Sequence, residues 1–196
     1  MSALAPDPVF SSPDDGRSAD PKVTPVLVLI ALGVLACGTE AVMCWTAGHL
    51  HADATLQTVA RFLHVAALIV GFGAVLAVDW IAVLWLAGRR RLTHILDASN
   101  ALATPIWVGL AGLTVTGTLL RPDLDNPLTL VKLGLVLAVT LNGLYAHGLG
   151  QRLTPYRNKG LPAVPRRLLV QSGIAATVSQ VGWWGSALIG FINSQS

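Results

Sequence analysis

TVARFLHVAALIVGFGAVLAVDWIAVLWL, residues 58–86, decides the fold. It runs 29 residues and carries three ionisable side chains, Arg61, His64 and Asp79. At about 1.5 Å per residue a helix of this length exceeds a hydrocarbon core of about 30 Å. The stretch therefore predicts a tilted or protruding transmembrane helix rather than the core helix of a soluble domain.

Working outward, four further apolar runs have similar length, at about 24–47, 99–120, 128–149 and 166–192. The whole chain repeats the message. Of its 196 residues 53% are hydrophobic and only 12% charged, where a soluble domain would carry about a quarter charged, and its mean hydropathy is +0.63. This excludes a polar unfolded chain and disfavours an ordinary cytosolic enzyme. Two cysteines define no disulfide scaffold. The expectation is an all-α integral membrane bundle of five transmembrane helices, residues 23–196, in a multi-pass cell membrane of the bacterial inner-membrane kind. Residues 1–22, rich in Pro, Ser and Asp, read as a disordered cytoplasmic tail, and no signal peptide is expected before Lys22. Pro122 and Pro127 bound one connection, Pro155, Pro162 and Pro165 break up another, and Pro105 is expected to kink the third span.

Basic residues set the orientation. Ten of the thirteen (Arg17, Lys22, Arg89, Arg90, Arg91, Arg152, Arg157, Lys159, Arg166 and Arg167) fall in the tail or in the connections after spans two and four. The positive-inside rule places those segments, and the N-terminus, in the cytoplasm, with the C-terminus outside. The +3 net charge then anchors the inner leaflet, and no nucleic-acid partner is expected. Gly71 and Gly73, Gly109 and Gly112, and Gly182, Gly185, Ser186 and Gly190 let backbones approach closely, either within the bundle or on a face for a homo-oligomer or a larger membrane complex.

Polar groups within the spans require partners or a purpose, since a charge at the bilayer centre costs about 2.5–3.5 kcal/mol on insertion scales. They sort into two layers. Glu40, His64 and Lys132 share a depth below the outer interface; Asp79, Asn142, His147 and Asn100 lie near the inner one. His64 either bonds to Glu40 or a backbone carbonyl, or offers a neutral imidazole nitrogen to a metal or haem iron. Lys132 either snorkels or neutralises Glu40 or an anionic ligand. Asp79 reads as a carboxylate paired with a neighbouring helix or with Arg89–Arg91, or as a proton relay. His147 reads as an interfacial histidine. Cys37, Met43, Cys44, His49 and His51 form a second group whose sulfur and imidazole donors suit copper(I), although no C-x-x-C or M-x-x-M fixes a geometry and ordinary buried Cys and Met beside a solvated loop is the preferred account. A Cys37–Cys44 disulfide is out of reach along one helix. Phosphate loops, H-E-x-x-H and a nucleophile with its base are absent from the sequence.

The stretch Arg61-Phe-Leu-His64-Val-Ala-Ala-Leu-Ile-Val-Gly71 resembles the first helix of the HemJ-type protoporphyrinogen oxidases and the related CopD-type copper-resistance membrane domains. Thr116-Gly-Thr-Leu-Leu120, a short loop and Leu130-Val-Lys132-Leu-Gly-Leu-Val136 resemble the same families' third helix. The likeness spans about residues 58–192 as a four-helix unit, with span one added. It implies haem b bound through His64, with Lys132 important beside it and Glu40 orienting the histidine or relaying protons. The implied role is redox chemistry or electron transfer, whether or not the chain is itself an enzyme. The sequence departs from the family at Gly71-Phe72 and Asp79-Trp80, where an aromatic Ser-Trp or Thr-Trp pair and an arginine are usual. It departs again at Asn142-Gly-Leu-Tyr145, where a Tyr-His pair is common. Two other classes stand beside this one: a non-catalytic accessory subunit and a copper-handling membrane protein.

Overall fold

A computed structural model describes residues 26–49 and 53–194. The tail and His51 lie outside these. Five long helices follow one another: α1 (Val26–His49), α2 (Ala54–Leu86), α3 (Leu92–Leu119), α4 (Pro127–Leu153) and α5 (Arg166–Asn193), with two short 3-10 turns between the last two and no strand among the described residues. Helices α1 to α4 are long and apolar enough to cross a membrane. Helix α5 has comparable length, 28 residues, but interleaves Gln171, Ser172, Ser179, Gln180 and Ser186 with its apolar side chains.

Local chemistry sets the helix ends. The Asp53 carboxylate caps α2 by accepting from the Leu56 amide at 2.7 Å, and Asn126 caps α4 by accepting from Leu128 at 2.9 Å with Pro127 in the first turn. Gly88, with φ of 71°, takes the left-handed conformation that follows the end of α2. Helix α3 begins seven residues before the apolar run expected at 99. Its first turns (LTHILDAS) are amphipathic, and Leu92 and Leu96 are buried against Leu149, Leu153 and Val164. Apolarity marks the part of a helix that meets lipid; packing on a neighbour carries the same helix beyond it. The helix also runs through Pro105.

Small residues build the seams. A Cβ on Gly109 would strike the backbone of Gly71, and one on Gly112 would sit 2.9 Å from the Ala67 Cβ, so α2 and α3 touch almost backbone to backbone. A Cβ on Gly182 would collide with Val139, and one on Gly185 would lie 2.9 Å from Leu135, closing α5 onto α4. These glycines thus serve packing within the chain; Gly73 alone of the α2 pair faces open space. Between the two helix pairs sits a plug of Phe72, Val75, Leu110, Val139 and Trp183, with Phe72 stacked on Trp183 at 5.5 Å and edge-on to Trp184 at 4.9 Å. Helix α1 lies outside against α3 and α4, with Leu29 beside Gly148 and Leu141 beside Gly33. Outward side chains are apolar: Phe62 is 73% and Ile69 68% exposed, an arrangement that suits lipid and not water.

Candidate functional site

The antiparallel seams fix heights. Gly71 faces Gly109 and touches Trp183. Two turns up from that plane, about 10 Å at 1.5 Å per residue, α2 carries His64, α3 carries Thr116, α4 carries Lys132 and α5 carries Gly190. His64 and Thr116 are bonded at 2.8 Å, and a Cβ on Gly190 would lie 3.3 Å from Lys132 Nζ. The shared depth expected for His64 and Lys132 is present, and the two lie within electrostatic reach.

The His64 ring is oriented by Thr116. The Thr116 hydroxyl is buried and donates its one hydrogen to the Gly112 carbonyl at 2.6 Å. His64 Nδ1 lies 2.8 Å from the same oxygen; while the hydroxyl hydrogen is on the Gly112 carbonyl, that oxygen accepts and Nδ1 is the protonated nitrogen. In the neutral imidazole the lone pair is then on Nε2. Gly117 adjoins the ring, and a Cβ there would be in ordinary contact with His64 Cε1 at 3.6 Å. Lys132 Nζ lies beside Gly190, in the last turn of α5, close to the negative end of that helix's dipole.

Glu40 stands apart from both. Its Oε1 is buried with no hydrogen-bond partner, and the one ion pair among the described residues is Arg157–Asp97. The orienting role expected of Glu40 toward His64 belongs to Thr116, 52 residues away on α3. Sequence reading placed the Thr116-Gly-Thr stretch in the right helix without pairing it to His64, because nothing local to either residue states the α2–α3 register.

Among the described residues the second group is not brought together as a metal set. Cys37 is exposed, Cys44 half-buried, and both are free thiols. His49 Nδ1 donates to the Trp45 carbonyl at 2.8 Å. Among the described residues no three of His, Cys, Asp and Glu gather as a metal set, and His51 lies outside them.

The inner layer is where the structure adds most. Asp79, Asn100, Asn142 and His147 all line one cavity of about 400 Å³ between the two helix pairs. Trp184 Nε1, a donor only, gives its hydrogen to Gln180 Oε1 at 3.0 Å; the amide nitrogen of Gln180 then donates to Asp79 Oδ2 at 2.5 Å. Asp79 thus pairs with a neighbouring helix, as one of its two readings held, and not with Arg89–Arg91. Asn142 donates to the Ala175 carbonyl at 2.8 Å, and Gln151 Nε2 donates to His147 Nε2 at 3.2 Å. Gln180 and Trp184, four apart on one face of α5, escaped the sequence reading because the polar side chains of α5 look unremarkable singly.

Comparison with known proteins returned nothing: no family model, no curated protein and no solved structure matches this chain. The apolar helices support an integral membrane protein in contact with a lipid bilayer.

Proposed function

We propose that the protein crosses the membrane five times, N-terminus in the cytoplasm and C-terminus outside, and holds haem b through His64 Nε2 for a redox or electron-transfer role. The distribution of basic residues favours this orientation. The polarity of α5 does not count against a fifth span, since Gln180 turns to Asp79 and Ser186 is buried, while Val170, Ile174, Val181, Leu188 and Phe191 face outward.

One observation carries the haem reading: the His64 ring is bonded through Nδ1 to a buried threonine hydroxyl that also bonds the Gly112 carbonyl, and with the proton on Nδ1 this arrangement aims Nε2 at a metal. The surrounding donors fit the group. Lys132 offers a cation to a haem carboxylate from the same level of the bundle. Bound there, the iron would supply one-electron chemistry. The chain's own residues orient the imidazole, hold a counter-charge and keep water out with apolar walls. This reading rests on the same residues, His64 and Lys132, that carry the HemJ/CopD resemblance.

An absorption spectrum of the detergent-purified protein tests it. A Soret band and a pyridine haemochrome of haem b are expected, and His64→Ala should abolish both. Haem-replete expression that yields no Soret band in the native chain overturns the proposal. The topology has its own test: a reporter fused after Ser196 should be active only outside the cytoplasm, and one after Arg91 only inside. The reverse pattern would overturn the orientation.

A further inference from the structure

The cavity around Asp79 is separate from His64, which lies about 22 Å higher along α2 for fifteen residues at 1.5 Å each. Its volume of about 400 Å³ lies within the range of small-molecule sites, roughly 300–1,000 Å³. It reaches from the plug, where Trp183 forms part of its wall, to the bundle end where α4 runs into Thr154 and Arg157. It exists because α2–α3 and α4–α5 each close along a glycine seam, while the two pairs meet at the plug and at the Leu92/Leu96 contact with Leu149 and Leu153.

The wall has a consistent polarity. Arg157 is its cation, and that guanidinium is held by Asp97. Asp79 is therefore the charge left without a counter-ion among the described residues of the wall. Gln180 occupies one of its oxygens, and a carboxylate has about four acceptor positions to offer. Asn142 has given an amide hydrogen to Ala175, which keeps its carbonyl oxygen for another donor. Around these acceptors the lining is apolar and aromatic, with Trp107 and Trp183. An occupant must bring hydrogen-bond donors and positive charge at one end and apolar surface at the other; an anion would meet Asp79 with no free cation to offset it.

We propose that this cavity is a binding site for an amphiphilic organic cation, a primary ammonium head on an aromatic or branched apolar body. The ammonium donates to Asp79 and to the Asn142 oxygen, and the body lies among Trp107, Trp183 and the aliphatic wall, where aromatic faces also attract the charge. An intramembrane carboxylate is costly to keep, and a ligand of this kind gives it a use.

The probes are 2-phenylethylammonium and its neutral isostere 2-phenylethanol, titrated calorimetrically into the full-length protein in detergent. Saturable binding of the ammonium is expected, with at least tenfold lower affinity for the alcohol. Asp79→Asn should lower the ammonium affinity at least tenfold and leave the alcohol unchanged. Ala103→Phe keeps Asp79 but fills the cavity, and should abolish binding of both probes; it carries the test if Asp79→Asn does not accumulate. His64→Ala should leave binding intact, which separates this site from the haem reading. Equal affinity for ammonium and alcohol, no saturable binding of the ammonium, or full binding in Ala103→Phe overturns the proposal.

Discussion

Helix α2 carries one polar group above the plug and one below it, and the two halves of the bundle treat them in opposite ways. Above, His64 is pressed against Thr116 in a seam where Gly71, Gly109 and Gly112 bring two backbones together. Below, Asp79 lines an open cavity and is reached by Gln180 from α5. The same helix, with the same apolar surroundings in sequence, holds its histidine rigidly and its carboxylate accessibly. What differs is what each faces: His64 lies in the seam where α3 closes on α2, whereas Asp79 looks into the gap between the two helix pairs. Tight packing on the Thr116 side fixes the orientation of the imidazole, and the gap between the helix pairs leaves the carboxylate open on one side.

The sharpest way to break this contrast is Gly109→Leu. A side chain there runs into the Gly71 backbone, and main chain cannot swing aside as a flexible side chain would. Forced overpacking costs about 1–3 kcal/mol in ordinary cores and more where backbone must move. Loss of membrane accumulation, or of the folded form in a detergent thermal melt, is expected. A wild-type melting temperature would mean that α2 and α3 are not in contact there.

Thr116→Val removes the acceptor of His64 Nδ1–H without changing side-chain volume much. A half-buried N–H left unpaired costs about 1–3 kcal/mol, so a clear fall in melting temperature is expected, with Thr116→Ser restoring most of it. Equal behaviour of the Val and Ser variants would detach the orientation of His64 from Thr116.

In the lower half the expected response is weaker. Asp79→Asn keeps an oxygen for Gln180 and removes a buried charge, so stability should change by no more than about 1 kcal/mol. Collapse of this variant would show that the carboxylate is a structural tie rather than part of an open wall. The smallest effect should come from Gly73→Ala. Two residues from the crowded Gly71, it faces nothing within 4 Å, and alanine in a helix interior gains up to about 1 kcal/mol over glycine. A destabilised Gly73→Ala would mean that a partner helix packs on this face.

Several of these features were legible in the sequence. Length and apolarity announced the helices, and Pro122 and Pro127 marked the connection between the third and the fourth. Counting residues from the span ends placed His64 and Lys132 at one level, because helical rise is nearly constant and lipid thickness fixes where spans begin. Glu40 shows where counting stops being enough. Continuing the α1–α4 register from Leu29/Gly148 and Gly33/Leu141 brings Glu40 to the level of residues 134–137, within about 8 Å of Lys132 in height at about 1.5 Å per residue. Yet no ion pair forms, and Oε1 is left without a partner. Depth is one coordinate; contact also needs azimuth, and azimuth depends on how each helix is rotated against its neighbours.

The sequence by itself determined that this chain is a set of long apolar helices, where most of them start and stop, and which polar groups share a height. Those properties follow from composition and rise, which each helix carries alone. Only the tertiary structure decided that Thr116 and not Glu40 orients His64, that the end of α5 faces Lys132, and that Asp79, Asn100, Asn142 and His147 surround one cavity. Each of these depends on the rotation and separation of helices far apart in sequence. Those are set by where glycine removes a Cβ at a crossing and where a side chain remains to hold two helices apart.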